Sequence, residues 1–213
     1  MQFELVARRL ASLPDPLPVP AEVLMPVFLD GSGLRPPRVP PLGRAGRPAG
    51  VLVLLYPDSE GSARVVLTER ATRDGHHSGE VSFPGGKAEP EDDDIAATAL
   101  REAAEEIALD PVAAGVEVVG KLERFWIPVS DFEVHPIVAL AARRPELLAS
   151  PDEVASILEP AVGRFLPDAP IVIVERTIGD WPMRYGAYDI EGLNVWGATA
   201  RILSQLGAVL SAD

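Results

Sequence analysis

Phe83-Pro84-Gly85-Gly86-Lys87, followed by Thr98-Ala99-Leu100-Arg101-Glu102-Ala103-Ala104-Glu105-Glu106-Ile107, is the stretch on which the fold turns. It reads as a glycine turn, an acidic helix start and a helix with three glutamates on one side. A helix advances roughly 100° per residue, so Glu106 lies about 40° from Glu102 and Glu105 about 60° to its other side. Ala99, Leu100, Ala103 and Ile107 occupy the opposite arc and suit a core. Like charges three and four residues apart repel and weaken a helix. Glutamate is also a good helix former, so an acidic solvent face is one reading of the cluster. The other is a site for a hard cation, because ligation by oxygen alone suits Mg²⁺ or Mn²⁺. Glu91-Asp92-Asp93-Asp94 sits where the helix dipole favours negative charge, which explains that run without a ligand.

Outward from this unit, Gly50-Val51-Leu52-Val53-Leu54-Leu55-Tyr56 is an apolar run of strand length, expected at the centre of a sheet. Asp58-Ser59-Glu60-Gly61-Ser62 has turn chemistry, and residues 64–70 read as the returning strand of a hairpin. Two further strands are expected at 116–123 and 133–141, and two late ones at 171–174 and 182–190 around Gly179-Asp180. Pro151-Asp152-Glu153-Val154-Ala155 reads as the start of a short helix, and Val195, Thr199, Ile202, Leu206 and Val209 line one face of a last helix. Phe125 and Trp126 read first as core residues; an exposed face on either would suit stacking on adenine.

Before Gly50, Phe3, Val6, Leu10 and Leu13 are spaced as an amphipathic helix, and Pro14, Pro16, Pro18, Pro20, Pro36, Pro37, Pro40 and Pro41 block helix interiors and central strands. The expected division is therefore residues 1–49, an N-terminal helix and proline-rich arm, and residues 50–213, the main domain. Val23, Leu24, Val27 and Leu29 suggest that the arm packs, on its own domain or across a homodimer.

The 213 residues are 47% hydrophobic, enough for a substantial core. The net charge of −13 argues against nucleic acid as a partner, since duplex binding needs clustered cations. A bound divalent ion would still allow phosphate to approach. There are no cysteines, which excludes disulfides, a cysteine nucleophile and cysteine-ligated zinc within this chain. No basic segment followed by an apolar run opens the sequence, and no uncharged apolar stretch reaches the ~20 residues of a membrane span, so a cytoplasmic protein without membrane contact is expected. His76 and His77 are adjacent, but neighbouring side chains diverge and a zinc site needs three convergent ligands.

The glycine turn and glutamate helix together resemble the Nudix box, with Gly86 opening it and Arg101-Glu102-Ala103-Ala104-Glu105-Glu106-Ile107-Ala108-Leu109 closing it. The spacing from Gly86 to Arg101 is one residue longer than the general pattern, Asp92 stands near the place of the first glutamate, and Ala108 replaces the terminal glycine. Leu67-Thr68-Glu69-Arg70-Ala71, His77-Ser78-Gly79, Asp131-Phe132-Glu133-Val134-His135-Pro136 and the region from Tyr188 to Ala200 are similar to the coenzyme A pyrophosphatase branch of that family. Gly75 and Glu80 stand where that branch usually has Arg and Gln. The resemblance implies an α/β fold, the Nudix-type α/β/α sandwich with a mixed β-sheet. It implies metal-dependent hydrolysis of a diphosphate bond in a nucleoside diphosphate derivative, coenzyme A or an acyl-CoA. It further implies Mg²⁺ or Mn²⁺ on Glu102, Glu105 and Glu106, and substrate contacts from Arg70, His77, Gly85 and Gly86. Glu105 is the expected catalytic base, with Glu102, Glu153 and Glu80 as alternatives, and Arg101 is expected to orient its neighbouring carboxylates. Other readings are a Nudix pyrophosphatase for NADH, ADP-ribose or a nucleoside triphosphate, and a Nudix-fold binding module without turnover.

Overall fold

The computed structural model describes every residue except Gly33, Pro36, Arg38, Gly43, Arg44, residues 72–79, Gly179 and Asp213. The first half of the chain runs α1 (Phe3–Leu10), β1 (Val27–Phe28), β2 (Arg47–Pro57), β3 (Ala63–Val65), β4 (Leu67–Arg70), β5 (Val81–Ser82), β6 (Gly85–Lys87) and α2 (Ile95–Ile107). The second half runs α3 (Pro111–Ala114), β7 (Val116–Lys121), β8 (Phe125–Ile127), β9 (Phe132–Ala141), β10 (Val154–Leu158), β11 (Val172–Ile178), β12 (Trp181–Ile190), β13 (Leu193–Val195) and α4 (Gly197–Ser211).

The central sheet is built on β2. It pairs in parallel with β9 from Arg47↔Phe132 to Leu55↔Leu140, and antiparallel with β3 and β6. β7 and β8 pair antiparallel with β9, so the sheet is mixed. Side chains alternate across a strand. Leu52, Leu54 and Tyr56 of β2, with Ile137, Ala139 and Ala141 of β9, therefore face one layer and pack on Ala99, Ala103 and Ile107 of α2. Val53, Leu55, Val134 and Val138 face the other layer and pack with Leu203, Leu206 and Leu210 of α4 and with Val6 and Leu10 of α1. A sheet with both faces covered in this way is the three-layer α/β/α sandwich.

The expected hairpin forms over Leu55↔Val65 to Pro57↔Ala63, closed by Asp58, whose Oδ1 accepts from the amides of Glu60 and Ser62. The returning strand then breaks after Val65. β4 leaves the central sheet and lies between β5 and β10 in a second, three-stranded sheet. This overturns the expected helix at 151–155. Residues 151–153 form a turn, and Val154–Leu158 is a strand that supplies the ladder partner β4 needs. The late strands β11 and β12 form a four-stranded sheet with β1 and β13. Phe125 and Trp126 are buried, and Trp126 donates its indole N–H to Asp131, which is a core role.

The arm lies on the domain. β1 pairs with β12, the amide of Ala21 donates to the Ser204 hydroxyl at 2.8 Å, and the Gln205 side chain donates to the Pro18 carbonyl at 3.0 Å. Leu24 and Met25 are buried in the larger core.

Asp94 caps α2, accepting from the amides of Ala96 and Ala97. At the other end Ala108 adopts a left-handed conformation, φ 52°, where glycine is favoured. An Ala108→Gly variant is expected to gain about 0.5–1 kcal/mol, because relief of the left-handed strain exceeds the added freedom of the unfolded chain. Urea denaturation of the two proteins measures the difference.

Candidate active site

The site is assembled where β6 passes under α2. β6 pairs with β2 so that Gly86 stands beside Gly50 and Gly85 beside Val51. Both Gly50 and Gly86 face α2 at a distance that leaves no room for a side chain. A Cβ on Gly50 would lie 2.6 Å from the Ile95 carbonyl oxygen, and one on Gly86 would lie 2.5 Å from the Glu102 carboxylate. The glycines thus let the helix settle onto the strand and bring its glutamates against backbone.

Glu106 is the most enclosed of the three, 5% exposed, with Oε2 accepting from the Gly85 amide at 3.1 Å. Burial pushes its carboxyl up to about 7; the Gly85 amide and the Arg70 charge act against that, while Glu102 and Glu153 add to it. Glu102 is also raised by burial, against the pull of Arg101 at 3.1 Å. Glu153 reaches this pair through the loop after β9. The Ser150 amide donates to the Glu106 carbonyl at 2.8 Å, the Glu153 amide donates to the Ser150 carbonyl, and the Ala71 amide donates to the Glu153 carbonyl.

Glu105 stands apart. Its side chain is 57% exposed and is held by Arg101 at 3.2 Å. Arg101 is the organiser of this flank, as expected. Its Nε donates to Asp92 at 2.9 Å, and its Nη atoms reach Glu102, Glu105 and the Lys87 carbonyl. Asp92 also accepts from the Thr98 hydroxyl and the Glu89 amide, and these contacts, led by Arg101, hold its carboxyl far below the usual range. Asp92 therefore anchors Arg101 in this structure. An Asp92→Asn variant is expected to lose about tenfold in turnover, the lower end of what misaligning a metal site's supporting groups costs. Kinetics across a metal-ion titration check this, since a loose Arg101 raises the metal concentration needed for half-activity.

Arg70 is exposed, and its amide donates to the Glu80 carbonyl at 3.0 Å. His77 and Gly75 lie outside the described residues. The structure thus brings together Glu102, Glu106, Gly85, Gly86 and the field of Arg70, adds Glu153, and places Glu105 on the outer side of the helix. Nothing in the sequence beyond the resemblance marked Glu153, because its approach depends on the ladder between β4 and β10.

Among the described residues, no three His, Asp or Glu side chains form a metal cage by themselves. Mg²⁺ usually takes one or two carboxylates and completes its shell with water and substrate phosphate. The pair Glu102 and Glu106 fits that requirement: both are desolvated carboxylates whose burial already disfavours their charge, so a divalent ion between them and solvent would relieve it.

Residues 46–162 match the NUDIX domain model, and the chain belongs to that family. It is 36% identical over 167 residues to Nudix hydrolase 15, mitochondrial, of Arabidopsis thaliana, covering 76% of this chain and 58% of that protein. It is 35% identical over 184 residues to the uncharacterized Nudix hydrolase NudL of Pectobacterium atrosepticum, covering 83% of this chain and 88% of that one. The matched part spans somewhat more than half the length of the plant relatives. A Nudix hydrolase from M. Smegmatis, RenU, superposes with a TM-score of 0.46 at 21% identity, covering 64% of this chain and 80% of that chain. Among the described residues no helix is long and apolar enough to cross a membrane.

Proposed function

We propose that this protein hydrolyses the diphosphate bond of a nucleoside diphosphate derivative with Mg²⁺ or Mn²⁺. Its substrate is coenzyme A or an acyl-CoA, and the products are phosphopantetheine (acylated or free) and adenosine 3′,5′-bisphosphate. The observation that carries the reading is the buried Glu106 and half-buried Glu102 against Gly85-Gly86, with Arg70 alongside. A diphosphate bridge is dense in negative charge and repels hydroxide. A divalent ion supplies charge neutralisation and an acidified water when bound.

The chain's own residues do the rest. Glu102 and Glu106 would hold the ion, and Glu105 is proposed as a third ligand that would have to leave Arg101 to join them. Arg70 is placed to grip a phosphate oxygen pair, which its planar fork suits. The Gly85-Gly86 backbone borders the substrate, and His77, outside the described residues, is retained as a proposed substrate contact from the family resemblance. Glu105 is the proposed acceptor of the water's proton, and Glu153, whose charge is felt at both Glu102 and Glu106, is the competitor. Glu105→Gln and Glu153→Gln separate them: the variant that flattens the acid limb of the pH–rate profile identifies the base.

Coenzyme A is favoured by the similarity of Leu67–Ala71, Asp131–Pro136 and Tyr188–Ala200 to that branch of the family. A panel of coenzyme A, NADH, ADP-ribose and nucleoside triphosphates, assayed with each metal and read by product mass, is expected to give adenosine 3′,5′-bisphosphate fastest. Faster loss of another member would move the substrate and keep the chemistry. A cytoplasmic location and a homodimer joined through the arm are part of the same proposal; cell fractionation and gel filtration decide them.

A further inference from the structure

We propose that Tyr185, Trp196 and Arg176 form a subsite for the nucleotide end of the substrate, where an amino-bearing purine stacks on the solvent side of Trp196, which Tyr185 backs, and its phosphate meets the guanidinium. This rests on the hydrolase reading above and specifies which part of the substrate is recognised away from the metal.

The four-stranded sheet places these groups. β11 and β12 pair as Val174↔Tyr185 and Arg176↔Met183, so Tyr185 and Arg176 project from one face. Arg176 is exposed and its charge acts on the Tyr185 hydroxyl, while Tyr185 itself is 3% exposed. The Tyr185 ring stacks on Trp196 with centroids 4.6 Å apart and planes 25° from parallel. Trp196 precedes α4 and keeps part of its surface in solvent. The Phe165–Tyr188 pair shows what a core contact looks like in this protein: edge-on at 83°, with both residues nearly inaccessible.

The patch borders the catalytic cleft. The Thr199 hydroxyl donates to the Val81 carbonyl at 2.9 Å, docking the start of α4 on β5. Next to Val81 stands Glu80, whose carbonyl receives the Arg70 amide and whose charge reaches Tyr185. Arg70 in turn acts on Glu106. From the glutamate pair to the aromatic pair there are thus two intermediate residues, Arg70 and Glu80. A flat π-system takes a base by stacking, and Arg176 takes a phosphate oxygen. The Glu80 carboxylate, which would oppose phosphate, suits an exocyclic amine.

The test uses the full chain and two probes, AMP and methylene diphosphonate, the second having the bridge but no base. AMP is expected to quench tryptophan fluorescence in the parent and in Trp181→Phe, and to lose most of that quench in Trp196→Phe. Trp196→Ala is expected to weaken AMP binding and to raise KM for coenzyme A by about tenfold, the effect of losing one stacking partner. Its kcat and its affinity for methylene diphosphonate stay unchanged, and Trp196→Phe restores KM. An equal quench in Trp196→Phe and parent, or equal weakening of both probes in Trp196→Ala, overturns the subsite. If the parent turns over no diphosphate but AMP still quenches Trp196, the subsite stands and the hydrolase reading falls. If turnover is normal and AMP does not quench, the hydrolase reading stands and the subsite falls.

Discussion

Glu106→Gln is expected to lose on the order of 10³-fold in kcat/KM and, in EDTA at pH 8, to be more stable than the parent. Both follow from one enclosed carboxyl. Burial raises its pKa from 4.5 to about 7. A raised folded pKa means that the fold prefers the protonated form. The associated stability is full below about 4.5 and is lost as pH rises through about 7. The shift corresponds to about 3 kcal/mol when the group is fully ionised. Glutamine carries no charge, still accepts from the Gly85 amide, and loses nothing over that range. Denaturation of the two proteins should coincide near pH 4 and separate by about 1–3 kcal/mol at pH 8. Adding Mg²⁺ at pH 8 should stabilise the parent and leave Glu106→Gln unmoved. A variant that keeps full turnover, or a parent indifferent to Mg²⁺, would remove Glu106 from the metal site.

Gly86→Ala is expected to abolish most activity, on the order of 10²-fold, with little change in melting temperature. The new methyl would sit 2.5 Å from the Glu102 carboxylate, which is the far end of a flexible side chain. That carboxylate can swing aside at small cost, so the fold survives and a metal ligand is displaced. Gly50→Ala supplies the contrast. Its methyl would meet the Ile95 carbonyl oxygen at 2.6 Å and the Ala99 amide nitrogen at 3.1 Å, both backbone. Prising α2 from β2 is expected to cost about 1–3 kcal/mol. Paired kinetics and thermal denaturation check both: activity lost without stability at Gly86, stability lost at Gly50. If Gly86→Ala proves fully active, Glu102 has no part in holding the ion.

The helix α2 was legible because its period and its acidic start agree, and the strand β2 because an apolar run of that length has few alternatives. The glutamates were harder. A helical wheel puts Glu102, Glu105 and Glu106 on one arc, but it does not know that Arg101 draws Glu105 outward while the glycine strand encloses Glu106. Residues 151–155 look like a helix start because Pro-Asp-Glu suits one. They turn and extend instead, because β4 has left the hairpin and needs a partner, a tertiary demand with no local trace. The prolines of the arm say which structures it cannot form and are silent on where it lies. Its docking onto Ser204 and Gln205 depends on residues more than 180 positions away.

That last contact has a bearing on biosynthesis. Leu24 and Met25 share one interior with Leu203, Leu206 and Leu210, so the larger core has no second wall until the final helix has left the ribosome. Up to that moment the early segment has apolar groups and no lining for them, and contacts so distant along the chain form slowly. A chaperone that binds nascent apolar segments should therefore engage residues near 24 and release them only once residues 197–211 have emerged.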